Sequence, residues 1–115
     1  MHADPAVVNV NFWITPDEAN LDPAAGGLVV WDQEAPPHWG FDEFNTSTAA
    51  GQQRIRDFLR DSNAKAVRVP YRQNRAVLFN SDLFHRTDTI RFAEGYANRR
   101  INITMLFGAR EGRLR

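Results

Sequence analysis

The chain has 115 residues, enough for one domain with a core of its own and too few for two. Hydrophobic residues make up 43% and aromatics 11%, the composition of a packed globule rather than a disordered segment. Lysine plus arginine and aspartate plus glutamate both number 14, so the balanced charge gives no electrostatic basis for a nucleic-acid partner or an anionic membrane. With no cysteine, disulfides, thiolate catalysis and cysteine-based zinc sites are excluded. No run approaches the roughly 18 apolar residues of a membrane span. The opening residues MHADPAVV lack the basic start and apolar core of a secretory leader, which points to a cytoplasmic protein.

In chain order, residues 7–14 (VVNVNFWI) are rich in β-branched and aromatic side chains and predict a strand. Alternation puts Asn9, Asn11 and Trp13 on one face and Val8, Val10, Phe12 and Ile14 on the other. A polar loop ending in Gly26-Gly27 leads to a second strand at 28–31. The proline-rich stretch DQEAPPHWGFDEFN is too irregular for an element and is expected to be a surface excursion, with His38 exposed. A helix follows at 48–61, with Thr46, Ser47 or Thr48 as cap, Ile55, Phe58 and Leu59 at i, i+3, i+4 spacing, and a stop at Ser62-Asn63. Strands are predicted at 66–69, 75–79, 84–87 and 99–107, with a loop at 89–98 and a basic, fraying tail GAREGRLR. About six or seven short strands with one inserted helix predict a mainly β domain, an antiparallel sandwich or barrel, somewhat short of the roughly eight strands of a jelly roll.

Three side chains suit a metal. His2 and Asp4, two residues apart in an extended segment, point to the same side and can reach one ion. His85, on a short strand near the other end, is a third candidate. Two imidazoles and one carboxylate fill one face of a non-haem Fe(II) ion and leave the opposite face open. A His-x-Asp alone is common by chance, and a histidine between apolar neighbours is more often packed than ligating, so the argument rests on the set of three. Arg100, Asn102 and Thr104 share one face of the last strand, with Ile101, Ile103 and Met105 on the other. If the polar face lines the interior, Arg100 grips a carboxylate through a two-point fork that lysine does not reproduce, while Arg99 points away. Asp17-Glu18 and Asp42-Glu43 are expected to be solvated, and Trp31 with Trp39 forms the alternative of a sugar-stacking platform. No phosphate loop, serine-nucleophile elbow or paired glycosidase carboxylates stand out.

The order of HADPAVVNVNFWIT, GGLVVWD, RAVLFNSDLFH and RRINITMLFG resembles the 2-oxoglutarate- and Fe(II)-dependent oxygenases, in particular members like phytanoyl-CoA hydroxylase. The resemblance spans this chain and matches the C-terminal part of a family catalytic domain. It implies a double-stranded β-helix (a jelly-roll, cupin-like fold), incomplete at its N-terminus, within a single domain 1–115. It implies Fe(II) held by His2, Asp4 and His85, with 2-oxoglutarate as cosubstrate and O2 as oxidant. The distal carboxylate of 2-oxoglutarate would meet Arg100, helped by Asn102, with Trp13 lining the pocket and Asn11 adding a hydrogen bond. The activity implied is hydroxylation of a substrate that the residues leave unidentified. The strands that precede the His-x-Asp motif in the family are missing here, which leaves a sheet edge open to self-association. The alternatives are a truncated jelly roll that binds a partner without catalysis and a cupin-type metal protein; the latter has no need of Arg100.

Overall fold

A computed structural model describes residues 1–109; residues 110–115, most of the tail expected to fray, lie outside the described residues. The chain is mainly β, with two three-stranded antiparallel sheets and one substantial helix. The strands are β1 (Val8–Trp13), β2 (Leu28–Glu34), β3 (Ala66–Val69), β4 (Ala76–Asn80), β5 (Leu83–Thr87) and β6 (Asn102–Phe107). One sheet has the order β4-β1-β6, the other β3-β2-β5. Only the β2–β3 connection returns to its own sheet; every other link between successive strands passes from one sheet to the other.

The predicted strands all form, each within a few residues of its expected bounds. The largest shifts, of three residues, are at the end of β2, which runs on to Glu34, and at the start of the last strand, which begins at Asn102 rather than at residue 99. Residues 99–101 are drawn off the ladder by Thr15, whose hydroxyl donates to the Arg99 carbonyl and accepts from the Ile101 N–H at 2.8 Å. The expected loop at 89–98 closes with a short 3-10 turn, Tyr96–Asn98.

Inner faces of both sheets meet in a core of Trp13, Leu28, Val30 and Tyr71, against which Val69, Val77 and Phe79 pack. The pairings β1–β4 and β1–β6 set Asn9 beside Phe79, Asn11 beside Val77 and Thr104, and Trp13 beside Asn102. Directly opposed residues share a face, so these all point inward. The polar parity of β1 is therefore its buried one: Asn9 and Trp13 are fully buried and Asn11 nearly so. Val8, Val10 and Phe12 point outward, in rows with Leu78, Met105, Ile103 and Phe107, which are exposed.

The outer face of the other sheet is covered. Helix α2 (Ala49–Asp61) starts at Thr48, whose hydroxyl accepts from the Gly51 N–H at 3.0 Å and satisfies one of the orphan donors of the first turn. Ile55 and Leu59 form its buried stripe, with Phe58 beside them, and pack on Phe84 and Trp31 of the sheet.

One expectation is overturned here. The stretch DQEAPPHWGFDEFN is not a surface excursion. Its first residues continue β2 to Glu34, and after the prolines a single helical turn, α1 (Phe41–Phe44), drops Phe44 into the core. Trp39 is buried against Phe58 and Phe84, at centroid separations of 5.3 and 6.1 Å, with the Arg54 guanidinium 4.4 Å over its ring. Irregular backbone here still buries aromatics one at a time, without the periodicity that marks an element. The burial also removes Trp39 from any sugar platform with Trp31, since a stacking surface must be open. His38 is exposed as expected. Of the acidic pairs, Glu18 and Asp42 are solvated, Glu43 pairs with Arg54 at 2.6 Å, and Asp17 accepts from the Gln73 N–H at 2.7 Å.

Candidate metal centre and half-buried arginine

His2 would be free to fray if nothing held it. Instead it exchanges two backbone hydrogen bonds with His85, 3.0 Å from its N–H and 2.9 Å to its carbonyl, as an isolated antiparallel bridge. Ala3 N–H donates to the Phe44 carbonyl at 2.8 Å and Asp4 N–H to the Ser81 carbonyl at 2.9 Å, while the Gln52 side chain donates to the Met1 carbonyl at 2.7 Å. The opening residues are thus laid along β5 and pinned by α1 and α2. The helix and the supposed excursion hold the first ligand pair in place.

His85 sits on β5 opposite Val30, next to an irregularity in the β2–β5 register between Val30 and Glu34. Bulges of this kind re-aim neighbouring side chains. Its Nδ1–H donates to the Leu83 carbonyl at 2.9 Å, which fixes the ring's orientation and turns Nε2 toward Asp4. The Phe79 ring lies against it edge-on at 4.9 Å.

Among the described residues the one cluster of three or more potential metal ligands is His2, Asp4 and His85, whose ligand atoms all lie within 4.8 Å of one another. His85 Nε2 is 3.2 Å from Asp4 Oδ2, and His2 Nε2 is 3.5 Å from Asp4 Oδ1. Ligands on one face of an ion with bonds of about 2.1 Å stand roughly 3 Å apart; His85 and Asp4 are already near that spacing, while the set as a whole, within 4.8 Å, must draw together to reach one ion. Burial pushes the Asp4 carboxyl up, but hydrogen bonds from His2 and His85 outweigh it and hold the group well below the ordinary carboxylate range. The carboxylate is therefore ionised, as a ligand must be. His85 is almost wholly buried and His2 is open to solvent, so the cluster has one dry side and one accessible side.

Two further groups reach Asp4 that the sequence did not single out as site residues. Asn9 Nδ2 donates to Oδ2 at 2.9 Å, and Asn45, at the end of α1, donates to Oδ1 at 3.4 Å and to the Ala3 carbonyl at 3.1 Å. The inward parity of Asn9 with Asn11 and Trp13 was a signal for the first; nothing local marks the second.

Arg100 lies at the other end of the β1 inner face. Its Nε donates to the Gly26 carbonyl at 2.6 Å and its NH2 group to that of Gly27 at 3.4 Å. The guanidinium stands 5.8 Å from the Trp13 ring centroid and 5.7 Å from that of Tyr71; the two rings are themselves stacked at 5.2 Å. Gly26 holds a φ of +85°, and a Cβ on Gly27 would come within 1.9 Å of the Val69 carbonyl oxygen, so the glycine pair is what lets these carbonyls cradle the arginine. Tyr71 was unmarked because it follows Pro70 in a turn; its hydroxyl donates to the Thr15 carbonyl at 2.6 Å.

Among the described residues no carboxylate pairs with Arg100; burial lowers its pKa, partly opposed by Tyr71. Among the described residues the buried Nε1–H of Trp13, whose ring lies under the guanidinium, and the Asn102 Oδ1 have no hydrogen-bond partner. Arg99 is exposed and lies over Tyr96, away from this pocket. The predicted site residues therefore fall into two groups, His2, Asp4 and His85 at one end and Arg100, Trp13 and Asn102 at the other, with Asn11 between them.

No protein-family model, curated protein or solved structure matches the chain. Among the described residues, no helix is long and apolar enough to cross a membrane.

Proposed function

We propose that the chain forms the metal-binding core of an Fe(II)- and 2-oxoglutarate-dependent oxygenase on a jelly-roll scaffold. The observation that carries the proposal is the convergence of two imidazoles and one carboxylate from opposite ends of the chain, with ligand atoms within 4.8 Å of one another. That donor set suits a non-haem Fe(II) ion that keeps open positions. The sheet-to-sheet crossings of the strands support the jelly-roll reading.

His2, Asp4 and His85 would hold the iron. Arg100 would take the distal carboxylate of 2-oxoglutarate, because it is a half-buried cation lacking an acid, with an unpaired indole N–H beside it. A buried donor without a partner costs free energy that an anionic ligand restores. When bound, iron with its cosubstrate supplies the oxidising power to hydroxylate an unactivated C–H bond. The protein's part is placement: Leu83 sets the orientation of the His85 ring, the glycine pair sets the arginine, and Phe79 packs against the inner side of His85.

The test is an anaerobic titration of Fe(II) into the purified chain with and without 2-oxoglutarate. The expected outcome is a weak visible charge-transfer band that needs both components and is lost in His85→Ala. A folded chain that gives no band, or a band that survives in His85→Ala, sinks the proposal.

A further inference from the structure

One series of polar side chains, buried at Asn9 and Asn11 and reaching the surface at Thr104, is not explained by packing. Asn9 is fully buried, and an amide there costs desolvation that a valine would not. Its partners run in one direction. Asn102 Nδ2 donates to Thr104 Oγ1 at 2.8 Å, and Thr104 donates to Asn11 Oδ1 at 3.4 Å. Asn11 Nδ2 donates to Asn9 Oδ1 at 2.6 Å, and Asn9 Nδ2 donates to Asp4 Oδ2 at 2.9 Å. Four hydrogen bonds, each with its donor nearer the Arg100 end and its acceptor nearer Asp4, lead along the β1 inner face to one carboxylate oxygen. Chains with a common direction polarise one another, so the last donor is the strongest.

We propose that Asn9 is a positioning residue for Asp4, and that the chain through Asn11 and Thr104 holds Asn9 in turn. The inference rests on the metal reading given above. Asp4 is the ligand between the two histidines, and each of its oxygens faces one of them. A carboxylate at the end of a single Cβ–Cγ bond rotates easily. The Asn9 amide on Oδ2 and the Asn45 amide on Oδ1 restrict that rotation, so that one lone pair on each oxygen stays directed into the space between His2 and His85. Partners of ligating groups commonly contribute about 10- to 100-fold in metal affinity.

Co(II) is the probe, since its visible ligand-field bands report geometry and its binding needs neither O2 nor cosubstrate. In Asn9→Leu, close in volume but without the donor, affinity for Co(II) is expected to fall about 10- to 100-fold, with altered band positions and intensities. Thr104→Val, an isosteric change at a solvent-exposed position, cuts the chain two links away and is expected to weaken Co(II) roughly two- to tenfold in the same direction. Thermal unfolding of the metal-free variants checks the fold; should Asn9→Leu not fold, Thr104→Val decides alone. Native affinity and native bands in the folded variants overturn the role of Asn9 and leave the metal site standing. A native chain that binds no Co(II) overturns the metal reading itself, and this role with it.

Discussion

The two sheets solve the same burial problem in opposite ways. In β3-β2-β5 the inner face carries Leu28, Val30 and Val69, and the outer face lies under Ile55 and Leu59 of α2. In β4-β1-β6 the inner face mixes Asn9, Asn11, Thr104 and Asn102 with the apolar Trp13, Val77 and Phe79, while the outer face shows Leu78, Ile103, Met105 and Phe107 to solvent. A strand that follows the usual rule hides its apolar parity. β1 hides the parity that carries its asparagines, which form a hydrogen-bonded file beside the buried Trp13. Departures from the rule concentrate where a fold supports a function. The polar side of this sheet runs from Asp4 of the candidate metal cluster to Asn102, which is paired with Trp13 near Arg100.

The covered and the bare outer faces should answer truncation very differently. Ile55→Ala, at a fully buried position of α2, is expected to cost about 2–5 kcal/mol in urea unfolding, from lost burial plus the cavity left behind. Leu78→Ala, at a residue 65% exposed, should stay within about 0.5 kcal/mol. Equal costs would mean that the bare face is covered in solution and would break the contrast.

On the inner faces, Arg100→Lys keeps the charge and loses the fork. It should weaken 2-oxoglutarate by roughly 10- to 100-fold in the charge-transfer titration, the worth of a charge-assisted hydrogen bond, and leave Co(II) affinity unchanged. Unaltered 2-oxoglutarate binding would take Arg100 out of the site and favour a cupin-type metal protein.

Much of this arrangement was legible in the sequence because strand parity is a local property. The alternation in VVNVNFWI and in RRINITMLF was enough to separate Asn11, Trp13, Arg100 and Asn102 from the apolar rows, although it did not say which row faces the core. The candidate triad of His2, Asp4 and His85 was readable as residue types in a familiar order, and the structure brings the three together. What was not legible depends on distant pairing. Asn45 reaches Asp4 only because Phe44 docks beside Ala3, and Tyr71 stacks on Trp13 only because the turn after β3 folds back under it. Trp39 and Phe44 escaped because a proline-rich stretch buries side chains singly, without a period to detect.

The smallest expected effect on stability accompanies the clearest effect on association. β6 is an edge strand, and both of its faces are open: Met105 and Phe107 on the outside, Thr104 and Leu106 on the inside. None of its residues Asn102–Phe107 carries a charge, and none is proline, so it lacks the usual guards against strand pairing. We expect the chain to self-associate in a concentration-dependent way on size exclusion. Two lysine substitutions then separate the routes, each changing folding stability by no more than about 0.5 kcal/mol because each side chain is solvent-exposed. Leu78→Lys charges the apolar outer face at the opposite edge strand β4, whereas Leu106→Lys charges β6 and leaves that face intact. Association lost in Leu106→Lys and kept in Leu78→Lys assigns it to pairing through β6; the reverse assigns it to the outer face or the β4 edge. A native chain that elutes as a monomer at every concentration removes both routes, and with them the idea that the exposed apolar rows of this sheet act as a contact surface.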